Sequence, residues 1–172
     1  EQFMPSTWSV PFRNVFTHTS AEKCILKIAA PSGRNLIIPR FTICHRSTAS
    51  GYAFVRWAKL NGTGTHATPA TIGTFEDGGT SGESAVFTVT GGPAGSSGVD
   101  TDWDTPPTIA TSGGADIVYE HDARACNGGT WDWTGIALRN GGITVPQNTS
   151  IGLFVTCTAA NYAPVVKVIV VQ

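Results

Sequence analysis

The chain has 172 residues and a mass of 18.0 kDa, enough for one domain with a true hydrophobic core, since a chain of this size buries roughly 70% of its unfolded surface. Charged residues make up 13%, against roughly 25% in an average domain, and the formal net charge is -1, so the basic stripe that carries nucleic-acid affinity is absent. No apolar run approaches the length of a bilayer span, and neither nucleic acid nor membrane is expected as a partner.

The chain opens on residues 1–18, EQFMPSTWSVPFRNVFTH, which mix Pro5 and Pro11 with Phe3, Trp8, Phe12 and Phe16. The prolines oppose helix and sheet ladders, whereas a free tail would leave the four large aromatic side chains in water. The segment is read as an extended arm that packs on a neighbouring subunit or a partner protein, with folding back on its own sandwich as the alternative. Phe3, Trp8, Phe12 and Phe16 are its expected contact residues.

Residues 19–172 read as a single β-sandwich domain. Apolar residues do not recur at helical spacing over any long window, whereas runs rich in β-branched and aromatic residues are frequent. The expected strands cover 23–30, 35–46, 52–60, 84–90, 116–120, 134–139, 151–158 and 164–171. Turn formers such as Pro31-Ser32-Gly33 and Asn140-Gly141-Gly142 separate them. Pro39 inside the second run argues for a bulge or an edge position. About eight strands in one chain define an all-β, antiparallel, two-sheet sandwich that is jelly-roll-like. Residues 61–83 and 91–115, dominated by Gly, Thr, Ser, Ala and Pro, are expected as long surface loops. In the last strand Val166, Val168 and Val170 share one face. Val165, Lys167, Ile169 and Val171 share the other, and its apolar members Val165, Ile169 and Val171 call for a covering partner.

Most of the chain's potential chemistry lies in one stretch, Glu120 to Trp133, EHDARACNGGTWDW. Glu120, His121 and Asp122 are acid-base groups, but neighbours on a strand point in alternating directions and cannot converge on one substrate. The reading is a strand end followed by a turn. His18, His45, His66 and His121 are scattered, no nucleophile elbow is present, and no catalytic residue is assigned. Asp100, Asp102 and Asp104 alternate like calcium-loop ligands, but Thr105 and Thr111 stand where an EF-hand requires glycine and glutamate. Cys24, Cys44, Cys126 and Cys157 contain no C-x-x-C pair. The first, second and fourth sit in strand-like runs, where a free cysteine behaves as a small hydrophobe. No metal and no cofactor are expected. Trp103, Trp131 and Trp133 suggest two readings, a sugar-stacking surface or, for Trp131 and Trp133, a cover over one edge of the core.

From Val15 onward the order of elements resembles the small β-sandwich virion proteins of tailed bacteriophages that decorate or stabilise the head. The likeness is carried by CILKIAAPSGRNLIIPRFTICHRSTASG, by FVRWAKLNGTG and by the closing GIALRNGGITVPQNTSIGLFVTCTAANYAPVVKVIVV. It covers about two-thirds of the chain, and the 61–115 region and the aromatic N-terminal segment depart from it. It implies a non-enzymatic capsid-binding protein, a homotrimer on the major capsid protein or other virion proteins. Such a protein is made in the host cytoplasm and resides on the capsid surface. A carbohydrate-binding sandwich of lectin or receptor-binding type is the alternative.

Overall fold

The computed structural model describes residues 7–13, 22–62, 64, 73–74, 85–90, 107–109, 117–125, 127–135, 138–159 and 162–172, of which 11–13, 62, 73–74, 117 and 121–124 are described by backbone alone. The strands are β1 (Thr7–Arg13), β2 (Lys23–Ala29), β3 (Leu36–Cys44), β4 (Tyr52–Gly62), β5 (Gly73–Thr74), β6 (Thr88–Thr90), β7 (Thr108–Ile109), β8 (Ile117–Ala125), β9 (Thr130–Thr134), β10 (Ile143–Val145), β11 (Ser150–Cys157) and β12 (Val165–Val171). No helix occurs among the described residues.

The strands form two antiparallel sheets. The first runs β10-β3-β12-β1-β5, with β9 also on β3, and the second runs β6-β2-β11-β4-β7, with β8 also on β4. Eight of the strands nest as a ribbon, in which β1 pairs with β12, β2 with β11, β3 with β9 and β4 with β8. The pairs β3–β12 and β4–β11 then join the ribbon to itself, one in each sheet. The four shortest strands, β5, β6, β7 and β10, extend the edges.

The inner faces of the two sheets make one core, as expected for a sandwich. In β12, Val166, Val168 and Val170 are no more than 1% exposed, Lys167 is exposed, and Val165, Ile169 and Val171 are half-buried. Trp57, Tyr162 and Phe41 are the largest fully buried side chains among the described residues. At roughly 2–3 kcal/mol for each large apolar side chain removed from water, this core is the main source of stability. A smaller cluster of Cys24, Ala58 and Phe154, with Leu60 and Ile109 packed on it, lies on the opposite face of the second sheet.

Pro39 sits at a bulge. Ile169 faces Arg40 and Val171 faces Ile37, so Ile38 and Pro39 together oppose Val170. On its other side β3 is paired by β10 over residues 36–38 and by β9 over 40–44, and Pro39 falls in the gap between them. There its carbonyl accepts the Gly135 N–H at 2.7 Å, and its missing N–H breaks no ladder.

Three expectations are corrected. The N-terminal segment contributes Thr7–Arg13 to the chain's own first sheet, paired with β12 along its whole length. Trp8, expected on a neighbour, is 5% exposed in the chain's own core and packs edge-on against Phe87, with ring centroids 6.3 Å apart. Among the described residues β5 pairs with β1 only at Trp8 and Ser9, so Pro11 interrupts no described ladder on that side. The strand expected at 134–139 is displaced to 130–134. Gly135 leaves the ladder, and Leu138 N–H donates to the Gly135 carbonyl at 2.8 Å in a turn. Finally, the long excursions return to the sandwich within their described parts, with Gly73–Thr74 extending the first sheet and Ile109 packing on the outer cluster of the second.

Candidate functional site

The 120–133 segment links the two sheets. Its first part is the end of β8 in the second sheet and its last part is β9 in the first, with a turn between them at one open side of the sandwich. Gly128 and Gly129 take φ values of 151° and 111°, a backbone region that side-chain-bearing residues rarely enter. The Gly129 carbonyl accepts the His45 N–H at 2.9 Å, which fixes the turn against the end of β3.

Strand alternation decides the fate of the two tryptophans. Trp131 and Trp133 are half-buried and pack on the core, whereas Thr130, Asp132 and Thr134 point away from it. Trp133 stacks on Phe41, with centroids 5.2 Å apart and planes at 26°, and lies 5.2 Å from Tyr119. Trp131 Nε1–H donates to the Tyr119 hydroxyl at 2.6 Å. The pair therefore covers one edge of the core, and Trp103 lies outside the described residues. On the outer face Asp132 accepts two hydrogen bonds from Arg40, at 2.9 and 2.6 Å, and one from Thr42 Oγ1 at 3.1 Å. The bond from Arg40 holds the Asp132 carboxyl below its ordinary range and raises the guanidinium. This is a surface ion pair spent on holding β9 to β3.

Of the acid-base groups, Glu120 is exposed in β8 opposite Arg56, and His121 stands opposite Val55 in the ladder. The side chains of His121 and Asp122 lie outside the described residues, as do Asp100, Asp102 and Asp104. Among the described residues no three His, Cys, Asp or Glu side chains are close enough to hold a metal. Among the described residues no disulfide joins Cys24, Cys44 or Cys157 to another cysteine, and Cys126 is outside them. Burial pushes the Cys24 thiol up to about 12 and leaves it chemically inert.

Sequence reasoning missed one buried polar pair. His45, 2% exposed, places Nδ1 2.5 Å from the Tyr162 hydroxyl, with the two rings stacked at 5.8 Å and 23°. Ala163 N–H donates to the Arg46 carbonyl at 2.6 Å beside them. The end of β3 is thus tied both to the β8–β9 turn and to the segment between β11 and β12. The available signal was weak, a histidine just past a strand and a tyrosine just before the last one. Above this pair lies a recess of about 160 Å³ lined by His45, Ala125, Gly128, Gly129, Thr130 and Trp131.

The expected interface residues are not gathered in one place. Val165, Ile169 and Val171 lie together on the outer face of the first sheet, with Ile37 opposite Val171. Trp8 is in the core, Phe12 stands opposite Val166 in the β1–β12 ladder, and Phe3 and Phe16 lie outside the described residues. No family model, curated protein or solved structure matches the chain.

Proposed function

We propose that the chain is a non-enzymatic structural protein of a virion, a head decoration or capsid-stabilising subunit of the tailed-bacteriophage type. The observation that carries this reading is the nested pairing of β1–β12, β2–β11, β3–β9 and β4–β8. This nesting supports a jelly-roll reading of the sandwich, an architecture common in viral capsid proteins. Fold alone does not give function, and two further observations support the reading. The sequence resemblance covers β2, β3, β11, β12 and most of β4, five of the eight strands of this ribbon. The outer face of the first sheet presents Ile37, Val165, Ile169 and Val171 beside the charged Lys167, Arg40 and Asp132, a mixed surface suited to contact with another protein.

On this reading the protein acts as a homotrimer on the major capsid protein, with the outer face of the first sheet as its contact. Light scattering on the full chain at micromolar concentration tests it, and the expected mass is three times the 18.0 kDa chain. A monomer at that concentration would remove the trimer and leave assembly on the capsid as the claim to test.

A further inference from the structure

We infer that the recess at the β8–β9 turn is a binding site for a neutral, hydroxyl-rich ring, a single saccharide unit. The inference rests on the recess itself and does not depend on the virion reading. Its described lining residues, His45, Ala125, Gly128, Gly129, Thr130 and Trp131, include no carboxylate, lysine or arginine, so none of these residues offers a charged group to a phosphate, a carboxylate or a cation. Its volume of about 160 Å³ matches roughly five waters at bulk density, the scale of part of a sugar ring rather than of a peptide or nucleotide.

Each wall offers what such a ring needs. Trp131 is half-buried and held by its Nε1–H bond to Tyr119 at 2.6 Å, so it forms a fixed aromatic wall beside which the C–H face of a sugar can pack. Thr130, the first residue of β9, adds an exposed hydroxyl only at the rim, on the strand face opposite Trp131 and 3.3 Å from Cys44 Sγ. The third wall is bare backbone. A Cβ built on Gly128 or Gly129 meets nothing within 4 Å, so open space adjoins this exposed turn; the positive φ of both residues accounts for glycine there, and the Gly129 carbonyl is already taken by the His45 N–H. The base of the recess is the buried His45, which its bonds to Gly129 and Tyr162 hold in place. A shallow site of this size binds one sugar unit with a Kd on the order of 1–10 mM, and useful affinity would come from several copies engaging one glycan.

The test is a titration of the ¹⁵N-labelled full chain with glucose, galactose, mannose and N-acetylglucosamine, with sodium sulfate as the charged control. The expected result is saturable shifts of the Gly128 and Gly129 amides and the Trp131 indole signal with at least one sugar and not with sulfate. Ala125→Phe fills the recess from an exposed strand position and should abolish those shifts while the remaining amide spectrum stays folded. Thr130→Val should weaken binding several-fold, and it serves alone if Ala125→Phe fails to fold. The inference is overturned if no sugar shifts these signals at a concentration of about 50 mM, well above the expected Kd. Shifts that persist in the folded Ala125→Phe protein, or sulfate binding more tightly than every sugar, overturn it equally.

Discussion

The Trp131 indole N–H and the Tyr119 hydroxyl, 2.6 Å apart, join β9 of one sheet to β8 of the other at the open side of the sandwich. Tyr119 also meets Phe41 and Trp133 at 5.2 Å each, so this hydrogen bond closes a cluster that spans both layers. Tyr119→Phe keeps the ring and leaves the indole N–H without this acceptor, for an expected loss of about 1 kcal/mol. Trp133→Ala removes the ring stacked on Phe41 and should cost about 3 kcal/mol. Urea unfolding of both variants checks the order, and equal losses would contradict it.

Gly142 and Gly141 separate steric clash from backbone strain. A Cβ on Gly142 would lie 2.4 Å from the Ile38 carbonyl oxygen, a backbone atom in the β3–β10 ladder that cannot move aside cheaply. Gly141 has φ of 73° and open space around it. Gly141→Ala should therefore cost about 1–2 kcal/mol of left-handed strain. Gly142→Ala should cost more, about 3 kcal/mol, through overpacking. Thermal melts of the two variants give the comparison.

These glycines show what was legible in sequence. The Asn140-Gly141-Gly142 turn, the bulge at Pro39 and the division of β12 into a Val166, Val168, Val170 face and a Lys167 face all follow from local chemistry and two-residue alternation. The strand at Trp131 and Trp133 did not, because the flanking Gly-Gly and Thr read as turn and the aromatic pair alone could not reveal its partner, β3. Trp8 was misplaced for a similar reason. Pro5 and Pro11 argue locally against a ladder, and the objection at Pro11 is met only by a tertiary fact, that among the described residues β5 pairs with β1 at Trp8 and Ser9 alone. The His45–Tyr162 pair, 117 residues apart in sequence, leaves only a weak local trace, a histidine past one strand and a tyrosine before another.

That pair should be a structural lock on one end of the sandwich. Tyr162→Phe removes the hydroxyl from His45 Nδ1 and should cost about 1–3 kcal/mol, since both groups are buried. Amide hydrogen exchange should rise first at residues 45–51 and 127–130. Uniform loss of protection across both sheets would contradict a local lock.

The Arg40–Asp132 pair predicts a pH dependence of definite sign. Asp132 has a lowered carboxyl pKa in the folded protein, so its contribution is present at neutral pH, above the unfolded value of 3.8, and is lost as pH falls through the lower folded value. Both side chains are well exposed, at 55% and 43%, so the effect is small. Asp132→Asn should melt slightly below the parent at pH 7 and together with it near pH 2. A difference that grows in acid would reverse the sign and exclude this assignment.

The central claim is that this sandwich works by assembling on a virion, and co-sedimentation of the full chain with tailed-phage capsids from its own source tests it most directly. The account predicts saturable binding at a fixed number of copies per capsid, lost or strongly weakened by Ile169→Lys on the outer face of β12. The opposite result is a folded chain that stays in the supernatant at every capsid concentration, or an Ile169→Lys protein that binds as well as the parent; the first would contradict the assignment and the second would contradict the surface.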